Sequence, residues 1–108
     1  MSIALKQGIL SVVGEEQLDV AATSVGFTSS ELTSRVVMAS CRLETAQIRM
    51  NVNGATEAPT AGGSEGSHLV EVGEIFEVWG SSDLNSVRFI RTGSTSGDLQ
   101  VMYFGTGS

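Results

Sequence analysis

Residues 35–53 constrain the fold of this chain more than any other stretch. Val37, Ala39, Cys41 and Leu43 are apolar at every second position. The alternation resumes one residue out of phase at Ala46, Ile48, Met50 and Val52, with Gln47, Arg49, Asn51 and Asn53 between. Successive side chains of a strand point to opposite faces, so each half presents one apolar and one mostly polar face. A helical template fits worse, because Arg49 and Asn53 would fall on the stripe made by Ala46, Ile48 and Met50. The spacing predicts a long half-buried β segment with a slip near Glu44-Thr45. Such a slip marks a bulge, or a corner where the chain passes from one sheet to another.

The rest of the chain supports a β fold. Short runs at 8–13, 17–23, 68–73, 74–80, 86–92 and 98–104 are rich in β-favouring residues, and breaks fall between them. Residues 14–16 are expected to form a turn, 81–85 another, and 93–98 a hairpin-type connection. In 74–80, Ile75, Glu77 and Trp79 share one face and Phe76 and Val78 the other. Val87 and Phe89 oppose Arg88 and Ile90. Leu99, Val101 and Tyr103 oppose Gln100, Met102 and Phe104. The polar run at 29–34 has room for a single helical turn. No segment reads as a long helix. The expectation is an all-β single domain of about seven or eight short strands, a sandwich or barrel of jelly-roll or Greek-key kind. Residues 1–7 are expected to form an arm or a short edge strand, 8–108 the domain, and 54–67 an exposed loop entered by the turn dipeptide Asn53-Gly54.

With 108 residues there is room for one ordinary core. The balance is acidic, net −6, with Lys6 the only lysine and five scattered arginines. Binding of phosphate backbones needs clustered cations, so no nucleic-acid partner is expected. No stretch approaches the ~18 apolar residues of a membrane helix, and no membrane partner is expected. The N-terminus lacks the charged start and long apolar core of a signal peptide. Cytoplasmic synthesis is expected.

Candidate chemistry is thin. Cys41, the lone cysteine, sits on the apolar face and reads as a small buried hydrophobe. His68 has no second histidine to complete a cupin-type metal set. Glu74 and Glu77, three apart, fall on opposite strand faces and make a poor acid–base pair. Glu71, Glu74 and Glu77 read as solvent-facing or arginine-facing. The Gly-rich 62–66 segment lacks the Lys-Ser or Lys-Thr of a phosphate loop. No enzymatic activity, cofactor or metal is expected. The aromatic candidates are Phe76, Trp79, Tyr103 and Phe104. Buried, they are core; exposed, they could stack on a sugar; at a subunit boundary, they would join Met and Arg, which interfaces favour. The interface set is Arg42, Arg49, Trp79, Arg88, Ile90, Met102 and Phe104.

Three pieces of the chain together resemble a group of small virion proteins of tailed bacteriophages. They are Glu44-Thr-Ala-Gln-Ile-Arg-Met-Asn-Val-Asn-Gly54; Ala58-Pro-Thr60 with its Gly-rich link to Gly66-Ser-His68; and Gly73-Glu74 leading to Val87-Arg-Phe-Ile-Arg-Thr-Gly-Ser-Thr95 and the closing Leu99-Gln-Val-Met-Tyr-Phe104. The resemblance covers roughly residues 17–104. Asn53-Gly54 stands where such proteins commonly have Asp-Gly, and the 60–67 loop is longer than theirs. The resemblance implies a non-enzymatic β-sandwich or jelly-roll unit of the virion that decorates or cements a capsid. Its expected partners are itself, as a homotrimer or homodimer, and the major capsid protein or other virion proteins. An acidic unit is repelled by packaged DNA, which favours a position on the outer surface or between capsomers over one lining the lumen. The alternative is a carbohydrate- or receptor-binding module of a neck or tail fibre.

Overall fold

The structure is a computed structural model, and it describes residues 10–52, 60–62 and 67–106. In chain order the strands are β1 (Leu10–Val20), β2 (Val36–Glu44), β3 (Ile48–Asn51), β4 (His68–Val70), β5 (Ile75–Trp79), β6 (Arg88–Arg91) and β7 (Gly97–Thr106). A 3-10 turn covers Ser29–Glu31, and one short helix, α1, covers Ser81–Ser86. A four-stranded antiparallel sheet runs β1-β7-β2-β5, and a three-stranded one runs β4-β3-β6. Among the described strands only β3 and β4 pair with their neighbour in sequence, so the arrangement is no meander. The all-β sandwich expected from the alternation is the observed fold. The arm at 1–7, the Asn53-Gly54 turn and most of the 54–67 loop lie outside the described residues.

The predicted slip at Glu44-Thr45 is a corner between sheets. β2 belongs to the four-stranded sheet and β3 to the three-stranded one. Thr45 makes the corner with φ +80°, and the Ala46 N–H donates to the Glu44 carbonyl at 3.0 Å. That i to i+2 bond closes a γ-turn of the strained, positive-φ kind. The chain crosses back between β4 and β5 by a four-residue turn, in which the Glu74 N–H donates to Glu71 O at 3.0 Å. Gly73 holds φ +92° there, where a side chain would be strained. The two corners touch, since the Gly73 N–H donates to Leu43 O at 2.8 Å.

Two bulges reset the strand phase. Val12 pairs with Phe104 and Gly14 with Tyr103, which leaves Val13 as the extra residue of β1. Residues 14–16 are therefore not a turn: 10–20 is one long strand with a bulge in it. Likewise Val36 pairs with Gly105 and Met38 with Phe104, which leaves Val37 extra. Val36 takes the core place that strict alternation assigns to Val37, and Val37 is only half-buried. The expected hairpin at 93–98 is also corrected. β6 and β7 lie in different sheets, so this link crosses the sandwich. The expected turn at 81–85 is α1, whose Leu84 is buried in the core.

One core joins the sheets. Leu18, Ala39, Cys41, Leu43, Val78, Leu99, Val101 and Tyr103 come from the four-stranded sheet, and Ile48, Val70 and Phe89 from the other. Phe27, from the link between β1 and β2, stacks edge-on against Tyr103 and tilted against Phe89, with ring centroids 5.5 Å apart in both pairs. Phe89 also meets Phe76 at 6.2 Å. These four rings bridge the layers in the tilted geometries aromatic pairs prefer. The Glu16 carboxylate points inward and accepts hydrogen bonds from the Tyr103 hydroxyl and from the backbone N–H and hydroxyl of Thr28. It thereby satisfies the buried phenol and ties down the β1–β2 link beside Phe27.

Candidate functional site

Strand register places a defined set of side chains on the outer face of the four-stranded sheet. Residues directly opposite across an antiparallel pair share a face. The first row across β1, β7, β2 and β5 is Val12, Phe104, Met38 and Trp79. The second is Glu15, Met102, Ser40 and Glu77, and the third is Gln17, Gln100, Arg42 and Ile75. A fourth row, without β5, is Asp19, Asp98 and Glu44. The face grades from apolar at one end to acidic at the other.

Four of its apolar members are exposed, while Met38 is buried and Phe104 half-buried. Val12 is 47% exposed, Ile75 67%, Trp79 51% and Met102 43%. A shallow groove of about 700 Å³ runs over the middle rows, lined by Glu15, Gln17, Arg42, Ile75, Gln100 and Met102 among others. The polar end is knit by amides: Gln100 Nε2 donates to Gln17 Oε1 at 2.8 Å and to Glu44 Oε1 at 3.2 Å. The Thr45 hydroxyl donates to Asp98 Oδ2 at 2.7 Å. The Trp79 indole N–H donates to Glu77 Oε1 at 2.8 Å, which fixes the ring on the surface. Arg42 is exposed and takes no hydrogen-bond or ion-pair partner among the described residues.

Four of the seven expected interface residues, Arg42, Trp79, Met102 and Phe104, meet on this face. The other three do not. Arg49 is on the outer side of the three-stranded sheet, where its Nε donates to the Ala61 carbonyl at 3.0 Å. Arg88 lies half-buried, its Nη1 donating to the carbonyls of Val87 at 2.8 Å and Asn85 at 3.3 Å. Ile90 is 9% exposed, so it offers no free contact surface. Sequence reasoning passed over Val12, because Val12 and Gln17 are five residues apart and strict alternation sets them on opposite faces. Only the extra residue of the bulge puts them together. Ile75 carried a usable signal, its shared face with Trp79.

Little else here is equipped for chemistry. Cys41 is 1% exposed and faces the core; burial, with a smaller contribution from Glu16, pushes its thiol up to about 12. It is a buried thiol and not a nucleophile. His68 is exposed at the start of β4, in the other sheet. Glu71, Glu74 and Glu77 are solvent-facing, but none meets an arginine: they accept from Gln47, from the Glu71 backbone N–H and from Trp79, respectively. Among the described residues no group of three His, Cys, Asp or Glu could hold a metal ion, and no helix is long and apolar enough to cross a membrane. Comparison with protein-family models, with curated proteins and with solved structures finds no match to this chain.

Proposed function

We propose that this chain is a non-enzymatic structural protein of a tailed-bacteriophage virion, a decoration or cement unit that binds the outer capsid surface as a homo-oligomer. The observation that carries the reading is the set of exposed apolar side chains on the outer face of the four-stranded sheet. A lone chain in water leaves Val12, Ile75, Trp79 and Met102, all on one face, substantially exposed, and exposed large apolar side chains gathered on one face of a small domain mark an interaction surface. The motifs described above supply the assembly, and the acidic balance favours the outside of a DNA-filled shell. Sedimentation of the purified chain gives its mass, and mixing with expanded capsids gives its binding. An oligomer that decorates capsids is expected. A monomer that leaves capsids bare sinks the proposal.

The groove over the middle rows, on the same face as the exposed Trp79 ring, favours a second reading, a carbohydrate- or receptor-binding module of a neck or tail fibre. An amphipathic groove with amide, carboxylate and guanidinium groups, on a face that also carries an exposed indole, suits a sugar. Glycan-array binding that is lost in Trp79→Ala promotes this reading over the first.

A further inference from the structure

We infer that the outer face of the four-stranded sheet docks a protein surface whose apolar side chains are flanked by lysines or arginines, and not a second copy of this chain. The inference deepens the assembly reading and rests on its premise that the bare face is an interface. Two features on that face point to the partner. Val12 and Trp79 at the two ends of the first row, Met102 in the second and Ile75 in the third are exposed and require apolar contacts. The charges beside that row require basic ones.

Glu15 and Glu77 stand in the second row, and Asp19, Asp98 and Glu44 fill the fourth. Arg42 is the one cation among these rows. Carboxylates directly opposite each other on neighbouring strands are unfavourable. The amides of Gln17 and Gln100 and the Thr45 hydroxyl relieve part of that repulsion, and no cation among the described residues does so. Two such faces brought together would set five carboxylates against five with a single arginine from each side. Like-charge juxtaposition across an interface selects against that pairing. A partner with basic side chains around an apolar ridge relieves the repulsion within the row and covers the exposed ring and aliphatic groups together. Self-association of the chain then uses a different surface.

Trp79 is the only tryptophan and lies on the face, so its emission reports occupancy directly. The purified full chain is titrated with two synthetic peptides of equal length, one alternating Leu and Lys, the other Leu and Glu. The Leu/Lys peptide is expected to shift Trp79 emission, with affinity that falls as salt rises. The Leu/Glu peptide is expected to leave it unchanged. Ile75→Asp is expected to weaken binding about tenfold or more, the value of one apolar side chain lost from a contact. Ile75 is 67% exposed, so the variant folds, and circular dichroism checks it. Glu15→Gln with Glu77→Gln is expected to weaken binding about fivefold. Glu31→Gln, whose carboxylate lies near Gly14 on the core side of β1, leaves it unchanged. The inference is overturned if both peptides act alike, if neither acts, or if the face variants bind the Leu/Lys peptide as well as the parent. It is also overturned if the chain self-associates and Ile75→Asp abolishes this, since the occupant is then a second copy. A glycan that shifts the emission where the Leu/Lys peptide does not gives the face to a sugar and overturns it too. Loss of capsid binding with peptide binding intact removes the virion proposal and leaves this one standing.

Discussion

Thr45 holds a φ of +80°, a conformation that β-branched residues rarely adopt. Its hydroxyl bond to Asp98, at 2.7 Å, gives a reason for threonine at such a place. The two effects separate by substitution. Thr45→Val keeps the branched Cβ in the strained corner and loses the hydroxyl; Thr45→Gly loses the hydroxyl and the strain together. The glycine variant is expected to be more stable than the valine variant by about 1–2 kcal/mol in urea denaturation. Cys41 sets a limit at high pH. Its thiol titrates at 9.0 when free and about 12 in the fold, because burial disfavours the thiolate. A folded pKa above the unfolded one means the stabilisation is complete below 9 and drains as pH climbs towards 12, at up to ~1.4 kcal/mol per pH unit. Tyr103, raised by burial and by its bond to Glu16, adds a loss beginning near 10. Urea midpoints measured from pH 7 to 11 are expected to fall from about pH 9 in the parent. In Cys41→Ala they are expected to start lower, from the lost packing, and to begin falling only near the tyrosine range.

At the scale of elements, register decides what the face contains. The period-two pattern identified six of the seven strands to within a few residues and showed that Ile75 and Trp79 share a side. It did not show the bulges at Val13 and Val37, because a bulge adds one residue without a compositional mark other than a nearby glycine or an extra valine. Gly14 looked like a turn for the same reason that it suits a bulge: it has no side chain to place. The link from β6 to β7 was misjudged on similar grounds. Gly93 and Gly97 read as hairpin punctuation, yet Gly97 serves close packing. A Cβ on Gly97 would stand 2.7 Å from the Ala46 carbonyl oxygen and 2.7 Å from Ile48 Cγ2, at the corner where the chain changes sheets. The carbonyl belongs to backbone and has little room to move. Gly97→Ala is expected to cost about 1–3 kcal/mol, read as a lower midpoint with an unchanged denaturant slope. A hairpin glycine in open solvent would cost far less, so this variant separates the two roles.

Across the whole molecule, the rings of Tyr103, Phe27, Phe89 and Phe76 hold two small sheets as one body. Phe89 touches both Phe27 and Phe76 and has no exposed surface. Phe89→Ala is expected to cost about 3–5 kcal/mol, a large share of the ~5–15 kcal/mol of a typical domain. Thermal unfolding monitored by circular dichroism checks it. Of the four rings, Phe27 left no trace in the sequence pattern, because it sits in a link and its burial depends on two strands distant in the chain. The sequence by itself determined the fold class, the phase slip at Glu44-Thr45, the burial of Cys41 and the two-sided character of the 75–79 strand. Each follows from local alternation, which every residue reports through its own neighbours. Only the tertiary structure decided which outward residues form one surface. Arg42, Trp79, Met102 and Phe104 come together, while Arg49, Arg88 and Ile90 are carried elsewhere, because strand order and bulge position set that grouping. Both are properties of pairing between distant segments, and local pattern does not encode them.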